Sequence, residues 1–78
     1  MNREETEAVV VAALAIVLKC EVGPDSTRRN TPNWDSLKHI EVIFMVEDEL
    51  ELEFSENELV DTDSVAKIVE KVMARHAA

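Results

Sequence analysis

Ser36 follows Asp35 and precedes Leu37, two positions after the single tryptophan, Trp34, and three before His39. An acid, a hydroxyl and an imidazole so close together invite a nucleophile reading, in which His39 would take the serine proton and Asp35 would orient the ring. Geometry argues against it. Asp35 is a good helix N-cap, and the turn it opens fans these side chains apart. No Gly-x-Ser-x-Gly elbow is present, and 78 residues give one domain without room for a deep catalytic cleft as well. The chain therefore reads as a non-enzyme. What remains is a serine in the first turn of a helix, exposed after a long polar loop. There the free backbone amides and the helix dipole favour a phosphate attached to its oxygen. Ser36 is the expected site of modification.

The other reactive side chains offer less. Cys20 is the only cysteine, which excludes an internal disulfide and a multi-cysteine metal site; it reads as a small apolar residue at a helix end. Asp35 with His39, and Asp61 with Asp63, lack a full ligand set and the glycine of a calcium loop, so no metal is expected. His39 itself reads as a surface or edge-of-core histidine.

Eight basic residues against 17 acidic ones leave a formal charge of −9. An acidic surface of this density repels nucleic acid and anionic membrane, and points to protein partners with basic patches. The acids concentrate along and after the helix that Asp35 opens. Arg28-Arg29 reads as a solvated pair relieving local repulsion. No apolar run approaches the roughly 20 residues of a membrane span. With the acidic start Met1-Asn2-Arg3-Glu4-Glu5, the expectation is a cytoplasmic protein without membrane insertion.

The elements that must position Ser36 can be read from caps and spacing. Asn2 with Glu5 forms a capping pair for a first helix over residues 3–19, with Val10, Ala13, Leu14, Val17 and Leu18 as its buried stripe. Residues 21–34 hold the only glycine, Gly23, and both prolines, Pro24 and Pro32, and form a long loop of the kind that is functional or mobile. Trp34 reads as an anchor packing that loop onto the helices. The second helix spans 36–50. Its inward stripe is Ile40, Ile43, Val46 and Leu50, helped by Val42, and a second face carries Leu37, Glu41, Phe44 and Asp48 with Glu47 alongside. Glu51 to Phe54 alternates polar and apolar as a short extended connection. Ser55 with Glu58 makes a capping box for a helix of about one and a half turns containing Leu59 and Val60. Asp63 or Thr62 caps a last helix over 64–75, with Val65, Ile68, Val69 and Val72 inward and Lys71 and Arg75 toward the negative end of its dipole. The expected fold is all-α: a small four-helix bundle, three helices longer and one short, with a long first loop, in a single domain over 1–78.

Asp35-Ser36-Leu37, followed by Glu41, Phe44, Glu47 and Asp48, resembles the acyl carrier proteins, in which the serine of an Asp-Ser-Leu motif carries 4′-phosphopantetheine. The resemblance covers the whole chain, because helix, long loop, motif helix, a Glu-Phe-Ser-Glu stretch opening a short helix, and closing helix follow in the family's order. Before the motif the family often has an acidic residue, leucine and glycine. This chain instead has Asn30-Thr31-Pro32-Asn33-Trp34, similar in its tryptophan to the stand-alone carriers of specialised pathways. The resemblance implies a covalent 4′-phosphopantetheine cofactor on Ser36, and partner recognition through Asp35, Leu37, Glu41, Phe44, Glu47 and Asp48. It implies as partners a phosphopantetheinyl transferase and acyl-loading and acyl-transferring enzymes, met by a monomer. From the residues alone the competing reading is an unmodified acidic helical interaction module.

Overall fold

The first helix sets the frame. In a computed structural model that describes residues 2–77, with side chains for 2–75, α1 runs Arg3–Leu18. Asn2 Oδ1 accepts from Glu5 N–H at 2.8 Å and the Glu5 carboxylate accepts from Asn2 N–H at 3.3 Å, so the expected capping pair is formed in both directions. At the other end Lys19 turns left-handed at φ 54° and returns its N–H to the Ala15 carbonyl, which ends the helix without a glycine. Asn33, from the far end of the loop, donates its side-chain N–H to the Leu18 carbonyl at 3.1 Å and thereby satisfies another terminal acceptor.

Three further helices follow: α2 (Ser36–Leu50), α3 (Glu56–Asp61) and α4 (Val65–Ala77). The all-α four-helix bundle is thus the observed fold, and no strand occurs among the described residues. α1 packs against both α2 and α4. Val10, Ala13, Leu14 and Leu18 of α1 meet Val42, Ile43, Val46 and Leu50 of α2 and Val65, Ile68, Val69 and Val72 of α4 in one core, closed by Trp34 and Phe54. Val17 packs at the edge of this core and is only partly buried. Burial of some dozen aliphatic side chains, each worth about 1.5–3 kcal/mol relative to exposure, must hold the fold, because the only cysteine is free.

Three sequence expectations are corrected. Ile40, expected inward, is 45% exposed, and His39, expected at the surface or core edge, is 6% exposed. The buried stripe of α2 is His39, Val42, Ile43, Val46 and Leu50, rotated by one residue at its start. The cap of α4 is also different. Ser64, not Asp63 or Thr62, accepts the Lys67 N–H at 3.1 Å, and its carbonyl accepts the Ile68 N–H. Thr62 is instead buried below α3, and Asp63 pairs with Lys67. Lys71 and Arg75 form ion pairs with Asp61 and Glu58, tying α4 to α3.

A six-residue helix such as α3 cannot be stable alone. Its Ser55–Glu58 capping box is present, and the Ser55 N–H is the main cause holding the Glu58 carboxyl below the usual carboxylate range, with Arg75 adding to it. Before α3, residues 51–54 alternate outward and inward as expected, with Phe54 in the core.

The loop of 21–34 is stitched down at several points. Thr27 and Ser64 form an isolated antiparallel bridge, flanked by Val65 N–H to the Ser26 carbonyl at 3.0 Å and Arg28 N–H to the Asp63 carbonyl at 2.9 Å. Thr27 and Asn30 each accept from the other's backbone N–H through their side chains. These bonds fix where the chain delivers Ser36.

Candidate functional site

Asp35 has extended backbone angles and its carboxylate accepts from the Lys38 N–H at 2.8 Å, which makes it the N-cap that its side chain predicts. Ser36 is the first residue of α2 and is exposed. Its Oγ accepts from Nη2 of Arg28 at 3.1 Å. Accepting that bond leaves the hydroxyl's own proton free to be taken.

Two residues before the serine, Trp34 is 2% exposed within the core and anchors the loop as expected. Its indole N–H, which can only donate, meets Nδ1 of His39 at 3.0 Å, so Nδ1 is the acceptor and the ring proton sits on Nε2. Nε2 then donates toward the Leu59 carbonyl at 2.9 Å, with the Thr62 hydroxyl at 3.2 Å, and Thr62 itself donates to the same carbonyl. One neutral imidazole therefore joins the loop, α2 and the turn between α3 and α4. Both ring nitrogens are occupied by these bonds, and neither is bonded to Ser36 Oγ.

Burial is the main cause lowering the pKa of His39 below 6.5; the Leu59 carbonyl opposes, the Arg28 charge lowers it further and Asp63 raises it. A folded value below the unfolded one means that the unfolded chain binds more protons. The stabilisation from this group is complete above about pH 6.5, and is lost as pH falls through the folded value. Protonation would also place a second N–H against the indole donor. Urea midpoints should therefore fall from pH 7.5 to 5.5, and by less in His39→Asn; an imidazole resonance of His39 titrating at or above 6.5 would contradict the assignment.

The second face of α2 is open. Leu37 is 68% exposed and Phe44 62%, with Glu41 and Asp48 exposed beside them and Ile40 joining the same apolar surface. Lys38 reaches Glu41 at 3.5 Å, an exposed pair of little energetic weight. Glu47 behaves differently. It is half-buried, and its Oε2 accepts the Phe54 N–H at 2.7 Å, so it holds the chain between α2 and α3. Leu37, Glu41, Phe44 and Asp48 thus share one exposed face of α2, which has Asp35 and Ser36 at its N-terminal end, while Glu47 is partly committed to structure. Arg29 is exposed as expected, but Arg28, expected with it as a solvated pair, is instead partly buried and reaches Ser36. Its approach to Ser36 depends on the Thr27–Ser64 bridge, for which local spacing carries no signal.

An apolar groove of about 170 Å³ lies between α1 and α2, lined by Val9, Ala12, Ala13, Ile16, Met45 and Glu49. At 1.5 Å per helical residue Met45 is roughly 14 Å along the axis from Ser36, so the groove does not adjoin the serine. Among the described residues no group of three His, Cys, Asp or Glu side chains is placed to hold a metal ion, and no helix is long and apolar enough to cross a membrane. No protein-family model matches the chain, and no curated protein matches it.

Proposed function

We propose that this protein is an acyl carrier, holding an acyl or related intermediate as a thioester on 4′-phosphopantetheine attached to Ser36. The observation that carries the reading is the exposed Ser36 at the first position of α2, beside its Asp35 cap and at the head of the exposed Leu37–Phe44 face. In the loading step a phosphopantetheinyl transferase joins Ser36 Oγ to the phosphopantetheine phosphorus of coenzyme A. The pyrophosphate P–O bond breaks, 3′,5′-adenosine diphosphate leaves and the serine proton passes to a base of the transferase. Reactivity then resides in the terminal thiol, and the protein supplies attachment and recognition. A tethered arm raises the effective concentration of its cargo at a docked enzyme. The acidic residues Glu41 and Asp48 around Phe44 suit partners with basic docking patches.

Incubation with coenzyme A and a broad-specificity transferase should add the mass of one phosphopantetheinyl group to the intact protein, and none to Ser36→Ala. Absence of the gain in the wild type, or its presence in the alanine variant, overturns the carrier reading and returns the chain to an unmodified acidic interaction module.

A further inference from the structure

Arg28 and Arg29 are adjacent in sequence, and the structure separates their roles. Arg29 is exposed, whereas Arg28 is half-buried and its backbone is held by the N–H bond to the Asp63 carbonyl, next to the Thr27–Ser64 bridge. Lys38, Lys67, Lys71 and Arg75 each pair with a carboxylate. Among the described residues no carboxylate lies within ion-pair distance of Arg28, in a chain where acids outnumber bases about two to one. Arg3, Lys19 and Arg29 also lack one, but those three are exposed and aim at nothing identified. Arg28 aims at a neutral hydroxyl, Ser36 Oγ, at 3.1 Å.

A serine hydroxyl is a weak partner for a guanidinium, which presents five donors in a planar fork matched to phosphate or carboxylate oxygens, and the Arg28–Ser36 bond is exposed, where an added phosphoester can reach it. The Asp35 carboxylate next to the serine already accepts the Lys38 amide and adds negative charge where a phosphoester would stand. A nearby cation therefore adds to what the helix amides and dipole supply for an anionic group on Ser36 Oγ, and a phosphoester on that atom brings its non-bridging oxygens to the guanidinium with little movement of the loop.

We propose that Arg28 is a phosphate-binding residue: when Ser36 Oγ carries a phosphoester, the Arg28 guanidinium exchanges its bond to the hydroxyl for charge-assisted bonds to the phosphate oxygens. The base of the attached arm is then pinned to the loop of 21–34, while its distal part stays free. For the phosphopantetheine diester this rests on the carrier reading of Ser36.

The test compares modified and unmodified protein for wild type, Arg28→Gln and Arg28→Lys. Two forms are used: Ser36 loaded enzymatically with phosphopantetheine, and phosphoserine incorporated at position 36 during translation, which needs no transferase. In the wild type, modification should raise Tm relative to Arg28→Gln, the gap between modified and unmodified forms narrowing in the variant by about 4 °C. The phosphorus resonance should move between wild type and Arg28→Gln, with Arg28→Lys in between because it keeps the charge and loses the fork. Equal Tm losses in modified and unmodified Arg28→Gln, with an unmoved phosphorus resonance, would mean a merely structural arginine and overturn the proposal. Failure of enzymatic loading alone would overturn the carrier reading, and the phosphoserine form would still decide the role of Arg28.

Discussion

Trp34→Ala should cost about 3–5 kcal/mol of folding stability, the range for removing a fully buried large aromatic side chain. For a domain of this size the whole stability is of order 4–12 kcal/mol, so the variant should be partly unfolded at 37 °C. Two contributions combine. The indole fills the space where the loop closes over the core, and its N–H is the only described donor to Nδ1 of the buried His39. Trp34→Phe separates them, keeping most of the ring while leaving Nδ1 unpaired, and should cost about 1–3 kcal/mol. Urea denaturation followed by helical circular dichroism reads both variants. Equal losses would assign the whole effect to the hydrogen bond, and a loss below about 1 kcal/mol in Trp34→Ala would mean that the loop is not anchored there.

How much of this was legible in the sequence depended on how local each interaction is. The caps of α1, α2 and α3 are contacts across three residues, and Asn2 with Glu5, Asp35, and Ser55 with Glu58 could be read directly. The cap of α4 could not, because Thr62, Asp63 and Ser64 are all able N-caps; the choice was made by His39 and Leu59 engaging Thr62 and by Lys67 engaging Asp63. In α2 the residues from Ile40 to Val46 are nearly all apolar apart from Glu41, so spacing alone allowed the stripe to start at 39 or 40. The partners of His39 Nε2, Leu59 and Thr62, distant in the chain, rotated it to 39. The exposed face of Leu37, Glu41, Phe44 and Asp48 was legible because acids alternate with large apolar residues there. The tie of Glu47 to Phe54 and the reach of Arg28 to Ser36 were not, since both depend on where loops return.

Phe44 and Ile43 are adjacent on α2 and should respond in opposite ways to truncation. Ile43 is completely buried, and Ile43→Ala should cost about 2–5 kcal/mol while leaving the loading rate of the folded fraction unchanged. Phe44 is 62% exposed, so Phe44→Ala opens no cavity and should change stability by less than about 1 kcal/mol. If the aromatic ring is the central anchor for a docked transferase, its loss removes a hot-spot contact of roughly 2 kcal/mol, and kcat/KM for loading Ser36 should fall about 30-fold. The acidic half of the surface is tested at Asp48. Reversing Glu47 would break the bond to the Phe54 N–H and confuse stability with recognition. Asp48→Lys should slow loading more at low salt than at high salt, because an exposed rim charge acts chiefly on the rate of encounter and is screened by ions. Severe destabilisation by Phe44→Ala with an unaltered loading rate would place the ring in the core, and a salt-independent effect of Asp48→Lys would remove electrostatic steering from the interface.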